Sequence, residues 1–189
     1  MDADDSDVDQ VCDVCVDGTV YENNEILICE SCNVAVHQLC YGVDVIPEGA
    51  WYCEVCRGGG KPSKTRCVIC QHTSGAFKKT EKKGKWVHGL CALWVPKVYY
   101  DPSKGGIYNV SHIDKARYKI GCKLCSHKGA VVQCCFGRCC VGAHPWCAVR
   151  HNKGFTHRVV KSPIDPSEHL FEIFCALHAS SVDGPVKPK

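Results

Sequence analysis

Large apolar side chains are scarce: the 189 residues carry only 16 Phe, Trp and Tyr together. A single large buried core is therefore excluded as the main source of stability. A basic-then-apolar leader is missing too. The chain opens Met1-Asp2-Ala3-Asp4-Asp5-Ser6-Asp7-Val8-Asp9, the wrong charge for a secretory signal, which argues against an oxidising destination. No uninterrupted apolar run approaches the roughly eighteen residues needed to cross a bilayer, so no membrane contact is expected. Cysteine is what the chain has in quantity, 18 residues beside 10 histidines. Free thiols in CxxC and HxxC pairs are zinc-binding spacings, and the composition predicts an intracellular zinc protein built of small modules.

The net charge of +3 hides a division at Gly58-Gly59-Gly60. Residues 1–57 hold thirteen Asp and Glu against the single Arg57, whereas residues 58–189 hold 22 Lys and Arg against seven acids. Such asymmetry predicts that the two halves meet partners of opposite charge.

Composition and turn signals divide the chain further. Residues 1–9 read as an acidic disordered tail. A first cysteine-rich module covers 10–57, a flexible Gly- and Pro-containing linker 58–64, and a second small module 65–100. Residues 101–118 form a connector that opens with Asp-Pro-Ser-Lys-Gly-Gly turn chemistry. A third module covers 119–180, and 181–189 is a disordered tail. Residues 25–28 and 34–36 flank a Cys-Glu-Ser-Cys turn and are expected to form a hairpin. Residues 88–94 and 144–150 suit short helices, and 130–133 and 171–174 suit strands.

The first module contains Cys12-x2-Cys15, Cys29-x2-Cys32, His37-x2-Cys40 and Cys53-x2-Cys56. Eight ligands in four close pairs fill two tetrahedral sites with nothing left over. Pairing first with third and second with fourth would interlock the sites; sequential pairing satisfies the spacing as well. The second module offers one set, Cys67, Cys70, His88 and Cys91. The third offers Cys122-x2-Cys125, Cys134, Cys139, His144-x2-Cys147 and Cys175-x2-His178, two sets more. Five zinc ions are thus expected per chain. Cys135 and Cys140 remain over, each adjacent to an assigned ligand, so either neighbour of each pair satisfies the spacing. His72, His112, His127, His151, His157 and His169 lack partners at ligand spacing and read as surface or outer-shell residues.

Histidine in fifth place and Trp51 two residues before the seventh ligand resemble a PHD finger. With the Val34–Val43 and Ile46–Cys53 segments, Cys91-Ala92-Leu93-Trp94-Val95-Pro96 and the Cys175-x2-His178 ending, the chain resembles a PHD–zinc knuckle–PHD unit. Such units occur in the BRPF and Jade scaffolds of histone acetyltransferase complexes and in the leukaemia-fusion AF families, and the first module is most similar to the BRPF and Jade group. The resemblance, which covers residues 11 to 179, implies a small zinc-stabilised α+β fold: two cross-brace PHD fingers joined by a single-zinc knuckle. It also implies a nuclear chromatin reader rather than an enzyme, with the first finger on the N-terminus of histone H3 and the rest on DNA or the nucleosome.

Local chemistry agrees with that implication. Ile26, Leu27 and Ile28 form a short strand to which a peptide could add, in an acidic setting that suits a basic tail. Asn23, Asn24, Glu25 and Glu30 flank it and would serve arginine and unmodified lysine. Pro47, Glu48 and Gly49, just before Trp51, match the family turn whose carbonyls receive a free terminal amine. Trimethyl-lysine readers usually carry an aromatic two residues before the histidine ligand; here that residue is Ala35, so the unmodified tail is expected.

The basic half carries Lys78, Lys79, Lys82, Lys83 and Lys85 in one loop, with Lys119, Lys123, Lys128, Arg138, Arg150, Lys153, Arg158 and Lys161 further on. Without a base-reading element these predict phosphate contacts that position rather than specify. The alternatives are a RING-like ubiquitin ligase, disfavoured by ligand order; a zinc hydrolase, disfavoured because four protein ligands leave no open position; and a purely structural adaptor.

Overall fold

A computed structural model of the chain describes residues 10–151, 154–161 and 169–181. The expected tails, apart from residue 181, and Lys153 lie outside the described residues. The described residues form small two-stranded antiparallel sheets and short helices. Strands β1 (Ile26–Ile28) and β2 (Ala35–His37) make the first hairpin, followed by α1 (Gln38–Tyr41) and α2 (Glu54–Arg57). In the second module β3 (Phe77–Lys79) pairs with β4 (Trp86–His88), which runs into α3 (Gly89–Trp94). Strands β5 (Tyr99–Asp101) and β6 (Ile107–Asn109) pair in turn. The third module pairs β7 (Val132–Gln133) with β8 (Gly142–Ala143), continues into α4 (Pro145–Arg150), and ends in β9 (Phe155–Lys161) against β10 (His169–Cys175). This is the expected small α+β zinc-finger fold.

The elements are short because metal-ligand loops, not long apolar stripes, set their ends. His37, His88 and His144 each stand immediately before a helix of four to six residues. Each helix then carries the second member of its HxxC pair, Cys40, Cys91 or Cys147. The strands around them alternate as half-buried strands do: Leu27 is buried while Ile28 on the other face is exposed.

Two segments differ from their sequence reading. The segment expected as a flexible linker is folded: the amides of Gly58, Gly59 and Gly60 close the end of α2, residues 62–64 make a 3-10 turn, and Pro62 is buried. The connector continues the knuckle, since Glu81 donates its amide to Tyr108 and its carboxylate accepts from the amide of Val110 and the hydroxyl of Ser111.

One apolar cluster runs through all three modules, from Cys12 and Val14 through Ile69, Phe77, Leu90 and Trp94 to Ile173. The modules approach closely where glycine permits it. A side chain at Gly75 would start 2.5 Å from the Trp146 ring, and one at Gly129 would start 2.1 Å from the Ile69 carbonyl oxygen. The Trp146 indole uses that opening to stack on His88, with centroids 4.1 Å apart and planes at 11°.

Candidate metal centres and binding surfaces

Five groups of four Cys and His ligand atoms converge, the atoms of each group lying within 4.8 Å of one another. In the first finger they are Cys12, Cys15, His37 and Cys40, then Cys29, Cys32, Cys53 and Cys56. First pair with third and second with fourth is the interlocked arrangement, so a β-hairpin is threaded between two metal positions. The knuckle gathers Cys67, Cys70, His88 and Cys91, and the last set gathers Cys134, Cys139, Cys175 and His178. The remaining set contains Cys125, His144 and Cys147, together with His72 from the knuckle.

A tetrahedral zinc with bonds of about 2.3 Å to sulfur and about 2.0 Å to nitrogen separates neighbouring ligand atoms by roughly 3.5–3.8 Å. The measured edges bracket this: Cys15 Sγ to His37 Nδ1 is 3.2 Å, Cys32 Sγ to Cys53 Sγ 3.8 Å, Cys91 Sγ to His88 Nδ1 3.9 Å and Cys134 Sγ to His178 Nδ1 3.5 Å. The thiolate and imidazole donors suit zinc, and zinc would act here as a structural cross-link, since four protein donors complete its shell.

A backbone rule recurs in every set. The amide of the third residue in chain order donates to the sulfur of the first cysteine: His37 to Cys12 at 3.2 Å, Cys53 to Cys29 at 3.3 Å, His88 to Cys67 at 3.4 Å, His144 to Cys122 at 3.4 Å and Cys175 to Cys134 at 3.4 Å. Cys122 therefore stands where the first ligand stands in the other four sets. Cys135 and Cys140 turn away, their thiols donating to the carbonyls of Gln133 and Arg138. His37 and His88 direct Nδ1 at the sulfurs and Nε2 at the carbonyls of Thr19 and Ser74, both at 2.8 Å, which fixes ring orientation. Nε2 of His144 is buried with no such partner.

The thiols also share protons unequally. Hydrogen bonds from Cys15 and Cys40 hold Cys12 well below the usual thiol range, while Cys40, bonded to Cys12 and Cys15, is pushed far above it. A bond from Cys147, helped by His144, pulls Cys122 down to about 2. Cys147 is raised chiefly by that same bond. A bound dication displaces thiol protons, so metal binding at such sets is linked to proton release.

In the first finger the hairpin is bonded through the odd-numbered residues of β1 and its flanks: Gln38 donates to the Glu25 carbonyl at 2.9 Å and Cys29 to that of Val34 at 2.9 Å. The amides of Ile26 and Ile28 consequently face away from β2. Just beyond, Glu30 donates to the Trp51 carbonyl at 3.0 Å, which brings the segment after Pro47-Glu48-Gly49 to the end of β1. Glu25, Glu30 and the three residues of that turn are exposed, and Asn23 is exposed at a φ of 60°. Asn24 has a structural duty instead, its side-chain oxygen accepting the Leu39 amide at 3.0 Å at the start of α1. Trp51 packs edge-on against Tyr41 at 5.4 Å and is half-buried.

Lys78 requires correction as a nucleic-acid contact. It is 6% exposed, its ammonium pairs with Glu54 and donates to the Tyr41 carbonyl at 3.0 Å, and it lies 4.5 Å from the Tyr41 ring centroid. Strand alternation turns Lys78 onto the first finger while Lys79 faces out. Arg150 pairs with Asp13 across the module boundary and covers Trp146. Arg158 pairs with Glu172 at 2.6 Å. Both guanidinium groups are thereby paired within the chain, although Arg150 remains exposed. Lys79, Lys82, Lys83, Lys85, Lys119, Lys123, Lys128, Arg138 and Lys161 are exposed. Two adjoining hollows of about 400 and 550 Å³ share Arg66, Gln71 and Tyr118 and add Lys82, Lys85 and Lys128. Arg66 and Tyr118 were not legible as surface partners because neither sits in a lysine run.

Known families match this arrangement. Residues 65–180 match a family model described as a PHD-zinc-finger-like domain, and residues 23–57 match a PHD-finger model. The chain belongs to the PHD-zinc-finger-like family. It is organised as a PHD–knuckle–PHD unit of the Jade and BRPF type. Protein Jade-1 of Xenopus laevis is 39% identical over 178 residues, 93% of this chain and 21% of that protein. The human protein named E3 ubiquitin-protein ligase Jade-2 is 39% identical over 182 residues, 95% of this chain and 22% of that one. The chain thus spans about a fifth of the length of these relatives. The PZP crystal structure of zebrafish PHF14 superposes with a TM-score of 0.71 at 29% identity, over 89% of this chain and 88% of that one. No helix among the described residues is long and apolar enough to cross a membrane.

Proposed function

We propose that this PHD–knuckle–PHD unit is a nuclear chromatin reader that binds the unmodified N-terminal tail of histone H3 through its first finger, with five structural zinc ions per chain and no catalytic step of its own. The observation that carries the reading is the outer edge of β1, where the amides of Ile26 and Ile28 point away from β2 between the exposed carboxylates of Glu25 and Glu30. An extended basic peptide can pair with such an edge through main-chain hydrogen bonds, and the flanking acids suit arginine and lysine. The turn at residues 47–49 offers carbonyls for a free amine at the end of that strand. Calorimetry with a panel of H3 peptides tests this: the free, unmethylated tail should bind more tightly than acetyl-capped or fourth-lysine-trimethylated forms. Equal affinity for all would defeat it.

The knuckle and second finger are proposed to touch DNA on the nucleosome through Lys79, Lys82, Lys83 and Lys85 and the adjoining Arg66, Tyr118 and Lys128. An enzyme complex that modifies histones is the proposed recruiting partner, in keeping with the similarity to Jade proteins. The name of Jade-2 raises ligase activity as a second reading. A ubiquitin-discharge assay separates the two, since a reader leaves the charged conjugating enzyme intact.

A further inference from the structure

Cys135 and Cys140 belong to none of the five metal sets. Their places follow from the β7–β8 hairpin, in which Val132 pairs with Ala143 and Gln133 with Gly142. The ladder runs one step further, since Cys134 donates to the Val141 carbonyl at 2.8 Å. The next pair in that register is Cys135 with Cys140, on either side of a turn closed by the Cys139 amide on the Phe136 carbonyl at 3.0 Å. Alternation along the strand fixes what kind of pair this is. The Cys134 amide points across the hairpin, whereas those of Val131 and Cys135 point out of it, to the carbonyls of Arg117 and Ile173. Gly142, opposite Gln133, likewise turns its carbonyl outward to the Lys123 amide at 2.9 Å. Cys135 and Cys140 therefore occupy a non-hydrogen-bonded position of an antiparallel ladder, where Cα atoms stand about 4.5 Å apart and side chains come closest.

That separation lies inside the range of about 4.4–6.8 Å that a disulfide spans. Bonds along the chain do not compete, because the neighbours Cys134 and Cys135, or Cys139 and Cys140, have Cα atoms only about 3.8 Å apart. Cys134 and Cys139 are moreover engaged in the last metal set. Cys140 is exposed and Cys135 half-buried. Each thiol rests on the carbonyl two residues before it, at 3.8 Å for Cys135 and 3.5 Å for Cys140, a weak bond that a side-chain rotation gives up.

We propose that Cys135 and Cys140 are an oxidisable dithiol, a modification site whose co-reactant is hydrogen peroxide and whose product is a disulfide across the mouth of the β7–β8 turn. The Cys140 sulfur attacks one peroxide oxygen, the O–O bond breaks and water leaves, giving a sulfenic acid. The Cys135 sulfur then attacks the Cys140 sulfur, the S–OH bond breaks, and a second water leaves with the Cys135 proton. The two thiols lose two electrons together, and one peroxide is reduced to two waters. The cross-link encloses Cys139 and adjoins Cys134, so it ties together the segments that carry two ligands of the last set while using neither.

The test treats the metal-loaded chain with hydrogen peroxide, then unfolds and alkylates it in chelator. Before unfolding, native mass spectrometry should find the chain about 2 Da lighter with its ion count unchanged. Trypsin cleaves after Arg138, between the two cysteines, so residues 129–138 and 139–150 should emerge as one linked species that a reductant separates. Fragmentation should place the bond at Cys135 and Cys140. Cys135→Ser should abolish the link and leave oxygen on Cys140, and Cys140→Ser should abolish both. A wild-type chain that gains oxygen without linking, or that links through Cys134, Cys139 or Cys147 and loses an ion, would overturn the proposal. So would an unchanged mass at a peroxide dose that fully oxidises free glutathione. These readings come from the wild type and need no variant to fold.

Discussion

The two PHD fingers use the same interlocked ligand order yet treat their equivalent strands in opposite ways. In the first, the segment before Cys29 turns the amides of Ile26 and Ile28 outward. In the second, the corresponding segment before Cys134 is covered: Ala130 donates to the Ile69 carbonyl at 2.8 Å, Val131 to that of Arg117 at 3.4 Å, and Cys135 to that of Ile173 at 2.8 Å. One finger keeps an edge open for an incoming strand, and the other spends its edge on the knuckle, the connector and β10. Ligand spacing specifies the metal frame, while what packs on that frame decides whether it can bind a peptide.

Metal removal should erase the comparison altogether. The apolar cluster is thin and runs through every module, and structural zinc contributes on the order of 10 kcal/mol or more to such folds. Chelation should abolish near-UV dichroism, and fingers that kept their signal without metal would contradict a structural role.

The boundary between the first finger and the knuckle is the next largest effect. Lys78→Ala leaves Glu54 buried without its cation, which should cost about 3–5 kcal/mol in denaturant unfolding. Lys79→Ala, one residue along and exposed, should cost less than about 0.5 kcal/mol.

The open edge can be blocked without touching the metal frame. Ile28→Pro deletes an outward amide but no hairpin bond, and proline is tolerated on edge strands; it should weaken H3-peptide binding about tenfold, read by calorimetry, through one lost hydrogen bond and its neighbours. Glu30→Lys should act in the same direction by like-charge repulsion while leaving the zinc count at five. A matching proline in the second finger has no peptide site to block, so unchanged binding there sharpens the contrast.

Smaller still is the expected effect of charge reversal on the basic side. Lys79, Lys82, Lys83 and Lys85 changed together to Glu should reduce DNA affinity and flatten its salt dependence, since counterion release drives phosphate binding. H3-peptide affinity should not move. Gel shifts at several salt concentrations read both, and an unaltered salt slope would remove these lysines from the DNA path.

Much of the metal frame was legible because ligand pairs are local. A CxxC or HxxC turn declares itself within four residues, and the helices following His88 and His144 came with it. Cys134 against Cys135 was undecidable in sequence because the two are adjacent; the fold separates them by placing Cys134 in a ligand set and turning the Cys135 thiol to the Gln133 carbonyl. The approach of His72 to Cys147 could not be read, since that sulfur is 75 positions away. Lys78 failed for a related reason. A run of lysines does not show which member lies over a buried carboxylate from the preceding module. The folded tri-glycine segment was misread because glycine's freedom marks helix ends as readily as linkers.

The stacked pair of Trp146 and His88 makes the molecule its own optical gauge. An indole pressed at 4.1 Å against the imidazole of a metal set lies where its excited state feels that ring's charge and tilt. Since Trp146 belongs to the second finger and His88 to the knuckle, its emission registers two events at once, the filling of the knuckle's metal position and the seating of one module on the other.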